Sequence, residues 1–147
     1  MIQLKSFLQA LKSAKINFVT GVPDSLLKDI CAFISDNLPT TQHVIATNEG
    51  SAIGLAIGNY LATGLVPLVY LQNSGIGNTI NPLISLADPS VYGIPILLII
   101  GWRGEILNND QINDEPQHRA QGKITLSQLD LLNIPYEIIN KDYQNLD

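Results

Sequence analysis

Glu49 is a carboxylic acid set in an unusual run of small and apolar residues. The nine residues after it are Gly, Ser, Ala, Ile, Gly, Leu, Ala, Ile and Gly. A helix with this pattern is apolar or small nearly all round, which predicts that it is buried or lies in an interface. The helix dipole favours an acid at such a start. A carboxyl that loses hydration there is also suited to exchange a proton with a heterocyclic nitrogen.

Polar residues follow each of four predicted strands. The segments concerned are 21–24, 47–50, 73–75 and 101–105. Ligands of doubly wound α/β folds bind at the carboxyl ends of the parallel strands, so these segments are expected to share one site. The pair Gly75-x-Gly77 on its own indicates a tight strand-to-helix turn. No complete phosphate-loop or dinucleotide motif occurs in the sequence.

The elements that must position these residues alternate along the chain. Helical spacing of apolar residues predicts helices at about 2–15, 26–34, 47–63, 77–87 and 125–133, and short apolar runs predict strands at 17–20, 43–46, 66–72, 95–101 and 136–139. Such a pattern indicates an α/β fold with a doubly wound, mostly parallel sheet and helices on both faces. Residues 102–122 are rich in Asn, Asp, Gln and Gly, which predicts a long loop.

Composition excludes several classes of function. The 147 residues include 8 basic and 13 acidic ones, for a net charge of −5, which argues against a nucleic-acid partner. The longest apolar run, 94–100, is far shorter than the ~20 residues of a membrane helix, so no membrane insertion is expected. Cys31 is the only cysteine, which fits a cytoplasmic protein without disulfides. Charged residues make up only 14%, which predicts that part of the surface is covered in a homo-oligomer or by another domain.

Six segments of the sequence carry a specific resemblance. They are, in order, GVPDSLL at 21–27, NEG at 48–50, PLVYLQNSG at 67–75, YGIP at 92–95, GWRGE at 101–105 and DEPQH at 114–118. Together they resemble the phosphonopyruvate decarboxylases, which are thiamine-diphosphate enzymes. The resemblance covers nearly the whole chain and implies that residues 1–147 form the N-terminal, pyrimidine-binding domain. The family's diphosphate-binding domain is expected to be absent, since its GDG motif is missing.

The resemblance implies a 2-keto acid decarboxylase that uses thiamine diphosphate and Mg²⁺. The implied reaction converts 3-phosphonopyruvate to phosphonoacetaldehyde and CO₂ in phosphonate biosynthesis. Glu49 would bind the pyrimidine ring and promote loss of the thiazolium proton, while Asn73, Ser74 and Gly75 would be further cofactor contacts. A turn-forming role for Asn73 and Ser74 is equally open. The missing domain would hold the Mg²⁺, so no metal ligands are expected in this chain.

Three further residues are implied at the reacting end of the site. Asp24 stands where related keto-acid decarboxylases carry a catalytic aspartate, although capping of the next helix would also explain it. His118 is a candidate acid–base group, since imidazole titrates near neutrality, and its alternative is a solvated loop position. Arg103 could pair bidentately with a phosphonate. It could instead pair with Glu105 or Glu115.

Two other functions stay open at this stage. Sulfopyruvate decarboxylases are closely related and include split forms, so the chain could be the small subunit of one. Segments 101–103 and 114–118 favour the phosphonopyruvate branch. The second alternative is a non-catalytic α/β interaction domain, which the joint presence of Asp24, Glu49 and His118 disfavours. In the catalytic interpretations, the partners are a keto acid and a diphosphate-binding domain or subunit, and the chain is a piece of a longer protein or one subunit of a split enzyme.

Overall fold

The computed structural model describes residues 4–108 and 110–139. Its central sheet has four parallel strands in the order β2-β1-β3-β4. These strands are β1 Val19–Gly21, β2 His43–Ile45, β3 Leu68–Gln72 and β4 Leu97–Gly101. The helices are α1 Leu4–Ser13, α2 Lys28–Asn37, α3 Glu49–Thr63, α4 Ile76–Pro82 and α5 Pro116–Leu131, and a small antiparallel pair, β5 Ile106–Leu107 and β6 Asp110–Gln111, follows β4. The predicted parallel α/β fold is confirmed.

Helices cover both faces of this sheet because β3 alternates its side chains between two cores. Val69 and Leu71 point to the core that contains α3 and α4. Leu68 and Tyr70 point to the opposite core, which contains α1 and α2. All four side chains are at most 1% exposed. A strand buried on both faces is the signature of a doubly wound sheet, and its carboxyl end marks where a ligand can bind.

Both ends of helix α3 are set by residues that commonly cap helices. The Asn48 side chain accepts a hydrogen bond from the Ser51 amide at 2.9 Å, which caps the helix and fixes Glu49 in its first turn. Gly64 ends the helix in the left-handed conformation, at φ 71°. The buried side of α3 packs Ala52, Ile53, Ala56 and Ile57 against the sheet.

The structure corrects the predicted loop at 102–122. Residues 106–107 and 110–111 pair as β5 and β6, and α5 begins at Pro116 rather than near residue 125. His118 is therefore a helical residue and not part of a long loop. Pro116 suits the first turn of a helix because its missing N–H has no partner to lose there. The apolar periodicity is weak, since the buried residues of α5 are Gly122, Thr125 and Leu129.

Other boundaries also differ. The predicted strand at 136–139 is wrong, because those residues pair with no strand in the described ranges. The helix predicted at 77–87 is instead α4 followed by a π-helical turn, Leu83–Ala87, after the interruption at Pro82. Helix α2 begins at Lys28 without a side-chain cap, so neither Asp24 nor Ser25 caps it. No helix in the described residues is long and apolar enough to cross a membrane.

Candidate active site

Glu49 is the first residue of α3 and lies at the carboxyl end of the sheet. Its side chain contacts the turn that follows β3 and helix α4. Its Oε2 accepts a hydrogen bond from Asn78 Nδ2 at 2.8 Å. Its side chain also lies against Gly75, where an added Cβ would come within 2.5 Å of Glu49 Oε1 and Cγ. Glycine at position 75 therefore makes room for the carboxyl group. Oε1 has no hydrogen-bond partner among residues 4–108 and 110–139, which leaves it able to accept one from a ligand.

The surroundings of Glu49 are more open than the sequence predicts. Its side chain is partly exposed at the start of α3, although it is on the side of the helix that packs on the sheet. The other side is exposed, with Leu55 and Leu61 at 41% and 64%. No atom lies within 4 Å of an added Cβ at Gly54 or Gly58. Within the described chain this side of α3 is uncovered, and it faces away from Glu49, which is on the same side of the helix as Ala52, Ile53 and Ala56.

Asp24 lies directly after β1 and is buried at 7% exposure. Its Oδ2 accepts a hydrogen bond from the Leu26 amide at 2.9 Å, which closes a turn before α2. Its Oδ1 is buried and has no hydrogen-bond partner within the described residues. The backbone of Gly101 crowds the carboxyl group, since an added Cβ there would overlap Asp24 Oδ2. A buried carboxylate oxygen without a donor is costly unless a bound molecule or water supplies one.

Arg103, Asp114 and His118 form a connected cluster next to this aspartate. Arg103 donates from Nε to Asp114 Oδ2 at 2.8 Å and from Nη2 to Asp114 Oδ1 at 2.7 Å, and its Nη1 donates to Ser25 Oγ at 2.8 Å. His118 Nδ1 lies 2.9 Å from Asp114 Oδ1. The Arg103 guanidinium, and then His118, hold the pKa of Asp114 well below its usual range. The predicted pairing of Arg103 with Glu105 or Glu115 is wrong, because its carboxylate partner is Asp114.

Asn73 ties this cluster to the sheet. Its Oδ1 accepts from the Arg103 amide and its Nδ2 donates to the Arg103 carbonyl, both at 3.1 Å. The same Nδ2 lies 2.8 Å from Thr125 Oγ1, on α5. The side chain is 1% exposed, and all its contacts are to protein groups that position Arg103 and α5. Its predicted role as a cofactor contact stays a prediction.

Ser74 and Gly75 differ in their surroundings although they are neighbours. Ser74 is exposed, and its Oγ accepts from Gln72 Nε2 at 2.6 Å. Gly75 is buried against Glu49. Both lie in the turn Asn73–Gly75. In this turn Asn73 contacts Arg103, Gly75 lies against Glu49, and Ser74 between them is exposed to solvent. Their cofactor roles also stay predictions.

Helix α5 and the segment that follows β4 approach each other through two glycines. An added Cβ at Gly122 would overlap the Gly104 carbonyl oxygen, and one at Gly104 would overlap the His118 carbonyl oxygen. Trp102 Nε1 donates to the Gly122 carbonyl at 3.0 Å. This backbone-to-backbone contact fixes the first turns of α5, and His118 with them, against Arg103.

The structure thus arranges the predicted residues in two adjoining groups. Glu49 and Gly75 belong to one, and Asp24, Arg103 and His118 to the other. Sequence reasoning gave no role to Asn78 or Asp114, which complete these groups. Asn78 comes three residues after Gly75 on a predicted helix, which was the available signal. Asp114 and His118 are four residues apart, but the segment was predicted to be a loop, where that spacing has no meaning.

This arrangement suits chemistry on a ligand that offers hydrogen-bond donors to Glu49 and a polar or anionic group to the Arg103 cluster. One carboxylate oxygen of Glu49 is held and one is available. His118 has one ring nitrogen engaged by Asp114, and Nε2 has no partner in the described part of the chain. The described residues contain no group of three or more His, Cys, Asp or Glu side chains that could hold a metal ion.

Comparisons with known proteins identify the family of this chain. The family "Thiamine pyrophosphate enzyme, N-terminal TPP binding domain" matches residues 4–130. The phosphonopyruvate decarboxylase of Streptomyces viridochromogenes is 38% identical over 95% of this chain and 33% of its own length. The sulfopyruvate decarboxylase subunit alpha of Methanococcus maripaludis is 36% identical over 87% of this chain and 71% of its own length. The chain thus spans about a third of one relative and most of the other.

Solved structures lead to the same family. The thiamine diphosphate-dependent 4-hydroxybenzoylformate decarboxylase of Rhodococcus jostii superposes with a TM-score of 0.57 at 25% identity, over 71% of this chain and 18% of that one. The benzoylformate decarboxylase of Polynucleobacter necessarius shares the fold, with a TM-score of 0.54 over 74% of this chain and 19% of that one. The resemblance seen in the sequence is confirmed, and the chain belongs to the family of N-terminal TPP-binding domains of thiamine pyrophosphate enzymes.

Proposed function

We propose that this chain supplies the pyrimidine-binding half of a thiamine-diphosphate-dependent 2-keto acid decarboxylase. The observation that carries the proposal is the state of Glu49. Oε2 of its carboxyl group accepts a hydrogen bond from Asn78, and the group packs against Gly75. Oε1 has no partner among the described residues and lies at the carboxyl end of a parallel sheet. A second domain or subunit, with Mg²⁺, would hold the diphosphate.

The residues present fit the cofactor's pyrimidine ring. An aminopyrimidine is flat and offers ring nitrogen and amino groups, which match a carboxylate acceptor. Gly75 leaves room for the Glu49 carboxyl group itself, since an added Cβ would come within 2.5 Å of Oε1. Glu49 would hold the ring through Oε1 and exchange a proton with it, while Asn78 keeps Oε2 in place. When bound, the cofactor supplies the electron sink for decarboxylation.

The reaction breaks the bond between the carboxylate carbon and the keto carbon. CO₂ leaves without the bonding electrons, and a proton must then be added at the former keto carbon to give an aldehyde. His118 is the residue proposed to deliver that proton, because Nε2 has no partner in the described ranges. Asp24 would contribute through its unpartnered Oδ1, by accepting a hydrogen bond from the substrate or from an ordered water.

The substrate is proposed to be a 2-keto acid with a second anionic group. Relatives of both kinds support this class about equally, at 38% identity for phosphonopyruvate decarboxylase and 36–37% for sulfopyruvate decarboxylase subunit alpha. The sequence-based preference for phosphonopyruvate is therefore not strengthened by the comparisons. Arg103 would contribute to anion binding, since a guanidinium has five N–H groups and three are used by Asp114 and Ser25.

Exchange of the thiazolium C2 proton tests the role of Glu49 directly. In the assembled enzyme, Glu49→Gln should slow this exchange, followed by NMR, because glutamine keeps the shape but cannot relay the proton. Loss of a general acid–base group usually costs ~10²–10⁴-fold, and kcat should fall in parallel. Glu105→Gln is the matched control, since the Glu105 carboxyl group accepts no hydrogen bond among the described residues.

Unchanged C2 exchange in Glu49→Gln, with the cofactor bound, would contradict the proposal. Turnover of phosphonopyruvate and of sulfopyruvate by the same assembled enzyme then decides between the two substrates, and phosphonopyruvate turnover would place the protein in phosphonate biosynthesis. The neighbouring coding sequence identifies the partner as a continuation of this chain or as a separate subunit. The proposed localisation is the cytoplasm, because a single cysteine without a disulfide partner fits a reducing compartment.

A further inference from the structure

The Asp114 carboxylate is the centre of the Arg103–Asp114–His118 cluster. Its Oδ1 accepts hydrogen bonds from Arg103 Nη2 at 2.7 Å and from the Glu115 amide at 2.8 Å, and it lies 2.9 Å from His118 Nδ1. Its Oδ2 accepts from Arg103 Nε at 2.8 Å. The side chain is 13% exposed. Every contact is one that an ionised carboxylate makes as an acceptor.

The charge of Asp114 decides which atom carries the hydrogen in its contact with His118. A bidentate guanidinium keeps the carboxyl group ionised, and the pKa of Asp114 is held well below its usual range, first by Arg103 and then by His118. An ionised carboxylate has no hydrogen to donate. The hydrogen between the two groups must therefore lie on His118 Nδ1, in the neutral ring as well as in the charged one.

A neutral imidazole has one N–H hydrogen. When this hydrogen is on Nδ1, the other nitrogen, Nε2, has a free lone pair that can accept a proton. That nitrogen has no partner among residues 4–108 and 110–139. A histidine free in water prefers the opposite tautomer, with the hydrogen on Nε2. The protein therefore reverses the intrinsic preference of this ring and leaves a basic nitrogen available to a ligand.

The rest of the structure holds this arrangement from both sides. Asn73 makes hydrogen bonds to both the amide and the carbonyl of Arg103. Gly104 packs against the His118 carbonyl so closely that no Cβ fits there. Asp114 and His118 lie one helical turn apart, with Asp114 just before α5 and His118 in its first turn. The orientation of the ring is thus fixed through its backbone and through its side-chain partner.

We propose that Asp114, held by Arg103, is a positioning residue that fixes His118 in the Nδ1–H tautomer, so that Nε2 can take up and deliver the proton required at the substrate. The role of Nε2 rests on the proposed decarboxylase function. The tautomer itself does not, because it follows from contacts within this chain.

Histidine ¹⁵N NMR tests the tautomer. In the intact protein at a pH where the ring is neutral, His118 should show a protonated Nδ1 and an unprotonated Nε2, with its signals assigned by their loss in His118→Gln. Asp114→Ala removes the acceptor, so the hydrogen should move mainly to Nε2. Glu115→Ala removes the same charge one residue away and should leave the pattern unchanged, since Glu115 offers Asp114 only its backbone amide.

A wild-type His118 with its hydrogen on Nε2 overturns the proposal, and this measurement needs no variant to fold. An unchanged pattern in Asp114→Ala overturns it as well. In the assembled enzyme at saturating substrate, Asp114→Ala should lower kcat, and Asp114→Ala combined with His118→Gln should have the kcat of His118→Gln alone, because Asp114 acts on proton transfer through His118. Loss of the Asp114 contact with Arg103 should appear in KM instead. Additive losses would contradict the positioning role. Failure of Glu49→Gln to slow C2 exchange contradicts the decarboxylase function and leaves the tautomer result as it stands.

Discussion

Asn78 determines which oxygen of Glu49 is available. Its amide hydrogen-bonds Oε2 at 2.8 Å, while Oε1 stays beside Gly75. A carboxylate that is free to rotate would present either oxygen, and a ligand would then have to pay the ordering entropy on binding. Because Asn78 lies on α4 and Glu49 on α3, the hydrogen bond also links the two helices that border this part of the site.

Asn78→Ala should slow thiazolium C2 exchange in the assembled enzyme, but less than Glu49→Gln does. A hydrogen bond to a charged group contributes ~1.5–3 kcal/mol. Such a loss corresponds to roughly 10–100-fold in rate if it falls on the exchange step. Asn81→Ala is the control, since Asn81 is on the same helix and the side-chain hydrogen bond it makes within the described residues is with Ser85, not with Glu49. Equal exchange rates in the two variants would contradict the assignment.

The sequence singles out the candidate residues of the site, and their roles stay predictions, whereas their partners could not be predicted. Glu49 stands out because an acid begins a helix of small residues, and the motifs around Asp24, Arg103 and His118 carry the resemblance. Asn78 and Asp114 have no such signal, because an asparagine on a helix and an aspartate in a polar segment are common on any protein surface. Only the packing of α4 and α5 brings them to Glu49 and His118.

At the scale of the element, α5 shows why sequence periodicity failed. Its buried residues are Gly122, Thr125 and Leu129, of which only Leu129 reads as apolar. Gly122 is there to let the backbone of Gly104 approach, and Thr125 is there to meet Asn73. Two of the three buried residues of this helix therefore contact the candidate site and only Leu129 joins the hydrophobic core, so hydrophobic spacing does not detect the helix. The four strands of the central sheet, of which β3 and β4 are apolar at nearly every position, were predicted correctly apart from their ends.

Gly122→Ala should destabilise the protein and displace α5 from Gly104. The added methyl group would overlap a carbonyl oxygen, and overpacking of this kind typically costs ~1–3 kcal/mol. Gly54→Ala is the matched helical control, because nothing lies within 4 Å of its Cβ position and alanine favours a helix by up to about 1 kcal/mol. Thermal unfolding should move in opposite directions for the two variants. A Tm for Gly122→Ala at or above the wild-type value would show that α5 does not need this contact.

Strand β2 carries a histidine whose effect on stability depends on pH. His43 Nε2 lies 2.9 Å from the hydroxyl of buried Tyr70, and burial lowers the pKa of His43 below its usual value. Burial also raises the pKa of Tyr70 to about 12, so the phenol stays protonated. The unfolded chain therefore binds a proton at His43 more readily than the folded one. Stability from this residue falls as the pH drops below about 6.5, the ordinary histidine pKa.

Urea unfolding at pH 7.5 and pH 5.0 tests this linkage. The wild-type chain should lose more stability between these values than His43→Gln does, since glutamine does not titrate. The range stays above the ordinary pKa of the carboxylates, about 4, so their protonation contributes little to the difference. An equal loss in both proteins would mean that His43 charges as easily in the folded state as in the unfolded one.

At the scale of the whole molecule, the exposed side of α3 is the surface that we expect a partner to cover. It carries Leu55, Leu61 and two glycines with open space around them, and it faces away from Glu49. Exposed apolar side chains of this kind suit an interface. The low share of charged residues, 14%, points the same way. We expect the chain to associate through this side of α3, with itself or with the diphosphate-binding partner.

Leu61→Lys should weaken self-association at least about 10-fold, because burying a leucine contributes ~1.5–3 kcal/mol. Folding should be unaffected, since the side chain is 64% exposed. Leu131→Lys is the control, because Leu131 is 82% exposed on α5. Sedimentation equilibrium should show associated wild-type and Leu131→Lys proteins and a largely monomeric Leu61→Lys protein. A wild-type monomer at high concentration, or equal weakening by both variants, would contradict the assignment of this surface.

The turn Asn73–Gly75 has a consequence for how the two halves of the site respond to each other. Its first residue holds the backbone of Arg103, and its last residue supports the carboxyl group of Glu49. The two groups are therefore attached to one short piece of backbone, with a single exposed serine between them. We expect a displacement on the Arg103 side to reach the Glu49 side through this turn, so substitutions in the two groups should show thermodynamic coupling instead of independent effects.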